Sequence, residues 1–235
     1  MSVTQSLSAA DRLPADRSAH PDGLKPSGAN LAARLSDAYL AVRNETERRA
    51  APLSPEDQVV QSMPDASPAK WHRAHTTWFF EQFLLGPHCP GYRPFDPDYA
   101  FLFNSYYVSA GPRHARGERG HLTRPGAAEV TAYRRHVDTA VLKFFNEAGA
   151  DKLAELAPLV EVGLNHEQQH QELMLTDILH AFAQNPLYPA YNPAWTPPPS
   201  TRNGEAWCEL QEGIHSIGHA AETFHFDNEK PAHRA

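Results

Sequence analysis

A helical stretch from about Asp151 to Gln184, stopped by Asn185-Pro186, constrains this chain most. It carries the run Asn165-His166-Glu167-Gln168-Gln169-His170-Gln171-Glu172. Four residues of α-helix return the chain to nearly the same face, so His166 and His170 can grip one metal ion. At ~100° per residue, Glu167 lies a quarter turn away and Gln169 lies on the flank of the histidine face. Glu172 falls on the far side, where it reads as a buried partner for a charge on another helix. Pro158 marks a break or restart of this helix.

Three further helices precede it. Leu31, Leu35, Tyr39 and Val42 form one stripe of a helix over about Ala29 to Arg49. Ala51 to Ala66, with Pro52, Pro55 and Pro64, is a connector. Ser67-Pro68 predicts a side-chain cap followed by proline at the first turn. The helix it opens runs through Trp71, His75, Trp78, Phe79 and Leu85 and stops at Gly86-Pro87. Residues 87–122 have no clean period, yet their aromatics predict packing on the domain; a loop this long is functional or disordered. Val130, Tyr133, Val137, Val141 and Phe144 line a helix that opens near Pro125. Four helices with one long crossover predict a mainly α, four-helix bundle.

A metal site needs a third ligand, and Lys70-Trp71-His72-Arg73-Ala74-His75 offers two candidates. His75 continues the stripe of Trp71, Trp78 and Phe79 toward the interior. His72 is displaced toward the charged side with Arg73, so His75 is favoured. A lone helical histidine is more often a surface or satisfied core residue. His114, His121, His136, His180 and the C-terminal histidines are read as ordinary. Three neutral imidazoles on one side of a metal leave adjacent positions open. With zinc that gives an activated water and hydrolysis, Glu167 of His-Glu-x-x-His being the general base. With iron(II) it gives room for dioxygen and a substrate ligand. Ligand type alone does not choose between them.

Composition narrows the partners. The net charge of −7 argues against nucleic acid. No apolar run approaches the roughly 18 residues of a membrane span. Residues 1–28 lack the apolar core of a signal peptide and read as a disordered tail. Cys89 and Cys208, alone and distant, suit a reducing cytoplasm and make no thiolate cluster. Residues 186–203 hold six prolines and form a linker, with Tyr188, Tyr191 and Trp195 as docking points. Beyond it, Glu209 to Gly218 looks like two short strands about a turn, and Phe224 to Asp227 like another.

Several of these segments resemble one family. They are Leu53 to Pro68, Trp71-His72, Ala74-His75-Thr76-Thr77-Trp78-Phe79-Phe80-Glu81, Leu102 to Tyr107, Gly111-Pro112-Arg113-His114 and Gly163 to Leu173. In that order they resemble the ergothioneine-biosynthesis sulfoxide synthases, or hercynine oxygenases, over about residues 30–235. The resemblance implies a DinB-like bundle (29–185) holding non-haem Fe(II) on His75, His166 and His170. It implies that residues 204–235 open an α+β domain of the sulfatase-modifying-factor, C-type-lectin-like kind. That domain supplies part of the substrate pocket, and its expected length makes the chain read as truncated and impaired in turnover. The implied substrates are small molecules: a thiol (cysteine or γ-glutamylcysteine), Nα-trimethylhistidine and O2. Gln169 matches the family glutamine that contacts the substrate imidazole. Tyr106-Tyr107 resembles the active-site tyrosine pair of the branch using free cysteine. Arg113, Arg116 and Arg119 follow in a loop where arginine can bind the thiol substrate's carboxylate or form a solvated basic surface; Arg113 is the first choice. The alternatives are a zinc hydrolase, a related synthase using selenium donors or plain histidine, and a non-catalytic metal-binding bundle.

Overall fold

A computed structural model describes residues 31–105, 107, 111–197 and 207–235. The tail expected at 1–28, Tyr106 and the end of the linker lie outside the described residues. Among the described residues no helix is long and apolar enough to cross a membrane.

Four helices make the body of the protein: α1 (Leu31–Ala50), α2 (Ala69–Phe79), α3 (Ala127–Glu147) and α4 (Ala150–Gln184). Each of α2 and α1 packs on both α3 and α4, which closes the bundle. The expected stripes are the buried faces. Leu35, Tyr39 and Val42 of α1 meet Val130, Tyr133, Val137, Val141 and Phe144 of α3 in one core. Every residue of α2 is buried. Helices cover two of its sides, and the crossover after it covers another. Trp71 and Trp78 donate their indole N–H groups to the carbonyls of Leu102 and Ala100 in that crossover. The crossover thus packs on the domain as its aromatics predict, with a short helical turn at Tyr99–Leu102 and a 3-10 segment at Arg116–His121.

Three helix boundaries differ from expectation. Ser67 does not cap α2, whose first residue is Ala69 and which has no side-chain cap. Its hydroxyl accepts from Arg119 and its N–H donates to Asp177 instead. The helix does not stop at Gly86-Pro87. A π-helical segment, Phe80–Leu85, follows α2 and leads into a last turn, Gly86–His88. Proline in an opening turn costs no hydrogen bond, so the chain passes it. The restart at Pro158 is also absent, since α4 is continuous through it. Leu156, Ala157 and Val160 are buried around it, and this packing outweighs a penalty of about 3 kcal/mol.

One contact sets the spacing of α2 and α4. A Cβ on Gly163 would lie 2.6 Å from the Phe80 ring and 2.9 Å from that of Phe79. Only glycine lets the helices approach this closely, one turn before His166.

The C-terminal strands differ from the sequence reading. β1 (Ser216–Ile217) pairs antiparallel with β2 (His233–Arg234), with Ser216 opposite Arg234. Glu209 to Glu212 is not a strand, and Phe226 begins a 3-10 turn at Asp227–Glu229. Of the three docking aromatics, Tyr191 donates to the Arg49 carbonyl at 2.6 Å. Tyr188 and Trp195 are instead 74% and 64% exposed.

Candidate metal centre

His75 projects from α2, and His166 and His170 from successive turns of α4. One ligand nitrogen of each lies within 4.8 Å of the other two. The Nε2 atoms of His75 and His166 are 3.2 Å apart. The Phe103 carbonyl lies 2.5 Å from His75 Nδ1. A carbonyl can only accept, so Nδ1 carries the proton and Nε2 presents its lone pair inward. The His75 ring is stacked between two indoles, with centroids 4.6 Å from Trp71 and 5.4 Å from Trp78. These lie four residues before and three after it, so α2 itself builds the clamp.

Burial decides the charge of the cluster. It pushes His166 down to about 4, and pushes His75 and His170 well below the ordinary imidazole range. Neighbouring imidazoles add to the depression of His75 and His170. At neutral pH the three rings are therefore uncharged, with lone pairs available in one small volume. The Nδ1 of His166 is buried and has no hydrogen-bond partner among the described residues. A donor set of three neutral imidazoles from two rigid helices fits a divalent transition metal.

Glu167, between the two α4 ligands, faces the opposite way. It is 0% exposed. Its carboxylate accepts from Arg43 at 2.9 Å, Thr46 at 2.7 Å and Arg134 at 3.0 Å. Burial alone would raise its pKa, but the Arg43 and Arg134 guanidiniums hold it down at about 2. Glu167 thus plays the part expected of Glu172, which is exposed. A carboxylate locked in ion pairs away from the histidines is not a general base, and the His-Glu-x-x-His hydrolase loses its catalyst.

His72 also departs from expectation. It does meet a charge, Asp177, at 3.0 Å, but it is 3% exposed and its Nδ1 lies 2.8 Å from that of His170. The sequence reading missed this role because helical position alone separated His72 from the ligand stripe.

The crossover forms the rim. Tyr107 packs on Phe79, Phe83 and Trp78, with its ring centroid 6.3 Å from that of His166. Burial pushes its phenol up, so it is protonated at neutral pH. Buried Asn104 shapes this loop by donating to the carbonyls of Tyr107, Gly111 and Pro112 at 3.1–3.4 Å. Its motif was recognised but its role was not, because the partners are backbone atoms. Gln169 is exposed on α4 beside His170. Arg113 and Arg116 are exposed, and Arg116 donates to the Asp65 carbonyl. Arg119 is the buried member of the trio. Its guanidinium lies 3.4 Å over the Trp71 ring and donates to Ser67 and Ser105.

A closed bundle with three inward histidines defines a helical protein able to hold a metal ion at its core. The chain belongs to the DinB superfamily, whose profile matches residues 38–174. No match is found among curated proteins.

Proposed function

We propose that this protein is a non-haem Fe(II) enzyme of ergothioneine biosynthesis. It joins a thiol to the imidazole C2 of Nα-trimethylhistidine. The observation that carries this reading is the convergence of His75, His166 and His170 beside the protonated phenol of Tyr107. The motif resemblance supplies the substrates. The overall change balances without another reductant. The thiol S–H and the ring C2–H are lost, a C–S bond forms, one oxygen atom of O2 becomes the sulfoxide, and the other leaves as water.

His75, His166 and His170 would hold the iron, which when bound supplies the redox chemistry of dioxygen and a site for the thiolate. The chain's own residues do the rest. Phe103 and the two indoles fix His75, so the ligand set keeps its shape. Tyr107 presents a protonated phenol, held by the Asn104-pinned loop, which can give or take a proton at its hydroxyl. By the motif resemblance Tyr106, which lies outside the described residues, would be the second phenol of this pair. Gln169, exposed on α4 next to His170 in sequence, would offer its side-chain amide to the substrate imidazole, as the motif resemblance implies. Arg113 and Arg116 lie in the loop that would receive the thiol substrate's carboxylate. Arg119, buried on Trp71, would keep the inner face of that loop positive.

The test is anaerobic titration with Fe(II), then cysteine, then trimethylhistidine. The expected result is one ion per chain, lost in His170→Ala, and a spectral change on thiol addition. Binding of iron with no response to either substrate would overturn the synthase reading.

A further inference from the structure

His72 and Asp177 form a hydrogen-bonded chain that ends on one of the three histidines. Asp177 Oδ2 accepts from the Ser67 N–H at 2.8 Å and lies 3.0 Å from His72 Nε2. A carboxylate oxygen accepts only, so His72 Nε2 carries the proton. In a neutral imidazole the other nitrogen is then an acceptor. That nitrogen, His72 Nδ1, lies 2.8 Å from His170 Nδ1. Between two facing nitrogens one must donate, and the donor is His170. Its proton sits on Nδ1, and its Nε2 keeps the free lone pair.

We propose that the Asp177–His72 chain is a positioning device that fixes the tautomer and ring orientation of His170 and is not itself a ligand. The proposal rests on the reading of the three histidines as a metal site. Two of the three histidines are then set from behind: His75 by a backbone carbonyl, His170 by an imidazole backed by a carboxylate. Reversing the chain would put the proton of His170 on Nε2, where it blocks coordination. Partners of this kind are worth about 10–100-fold in metal affinity.

Two measurements test it on the full chain. In metal-free protein, nitrogen NMR should find His170 as the Nδ1–H tautomer. In a Co(II) titration, His72→Phe should bind about 10–100-fold more weakly. His72→Asn, which keeps an acceptor near the Nδ1 position, should recover most of that loss. A residue that merely fills space would give the opposite order, since phenylalanine fills the volume better. An Nε2–H tautomer on His170, unchanged affinity in His72→Phe, or four imidazoles on bound Co(II) by X-ray absorption would overturn the proposal. Should His72→Phe not fold, the wild-type tautomer decides alone. If wild type binds no metal, the metal reading fails, while the tautomer still reports on the hydrogen-bonded chain.

Discussion

Two buried polar clusters sit back to back on one turn of α4, and they are built on opposite rules. Around Glu167 every charge is matched: Arg43, Arg134 and Thr46 reach its two oxygens, Arg43 also meets Asp138, and Arg134 also meets Glu47. Around His166, one residue away, its Nε2 faces that of His75 at 3.2 Å and its Nδ1 has no partner among the described residues. The first arrangement is finished by the protein alone. The second gathers ring nitrogens that could hold a metal ion. The contrast teaches that a short motif can hold a structural half and a chemical half at once, because adjacent helical residues point to different sides.

The largest expected effect lies on the structural half. Glu167→Ala leaves two buried guanidiniums without their carboxylate and should destabilise the fold by about 3–5 kcal/mol, read as a shift in urea midpoint. A loss as small as that of an exposed pair would erase the contrast. Acid should separate the halves next. The folded-state pKa of His166 lies below its unfolded value, so the folded state resists protonation. Its stability is full above about pH 6.5 and is lost as pH falls toward 4, a difference of roughly 3 kcal/mol. Glu167 follows the same sign at lower pH: its contribution is full above 4.5 and is lost as pH falls toward 2. Metal-free protein should therefore weaken in two stages, the first reduced in His166→Leu and carried there by His75 and His170. A single stage below pH 4.5 would mean that the histidines are not held neutral. The smallest effect is Thr46→Val. It removes one donor to Glu167 and the acceptor for Gln171, and should cost about 1–3 kcal/mol with metal affinity unchanged. A fall in metal affinity would join the two halves that the geometry separates.

Much of this was legible in the sequence. The apolar stripes of α1 and α3 survive as the buried faces, because periodicity records the helix side that must leave water. His75 is legible for the same reason: it lies on the stripe of Trp71 and Trp78. What periodicity could not show was hydrogen-bonding partners. Ser67 has the chemistry of a helix cap, but Arg119 and Asp177 hold it elsewhere. Glu172 and Glu167 differ by contacts with α1 and α3, which no local angle contains. Pro158 reads as a break because its penalty is local, while the packing that offsets it is not. The strand at Ser216–Ile217 was sought with its neighbour in sequence, yet its partner is His233–Arg234.

Gly163 has a consequence for which ion the three histidines could hold. The absence of one carbon there lets α4 rest on the Phe79 and Phe80 rings, just before the chain delivers His166 and His170 opposite His75. The jaws of the site are rigid helices, so their gap acts as a calliper for ionic radius. Alanine at this position would open the calliper from the hinge, favouring a larger ion without touching a ligand.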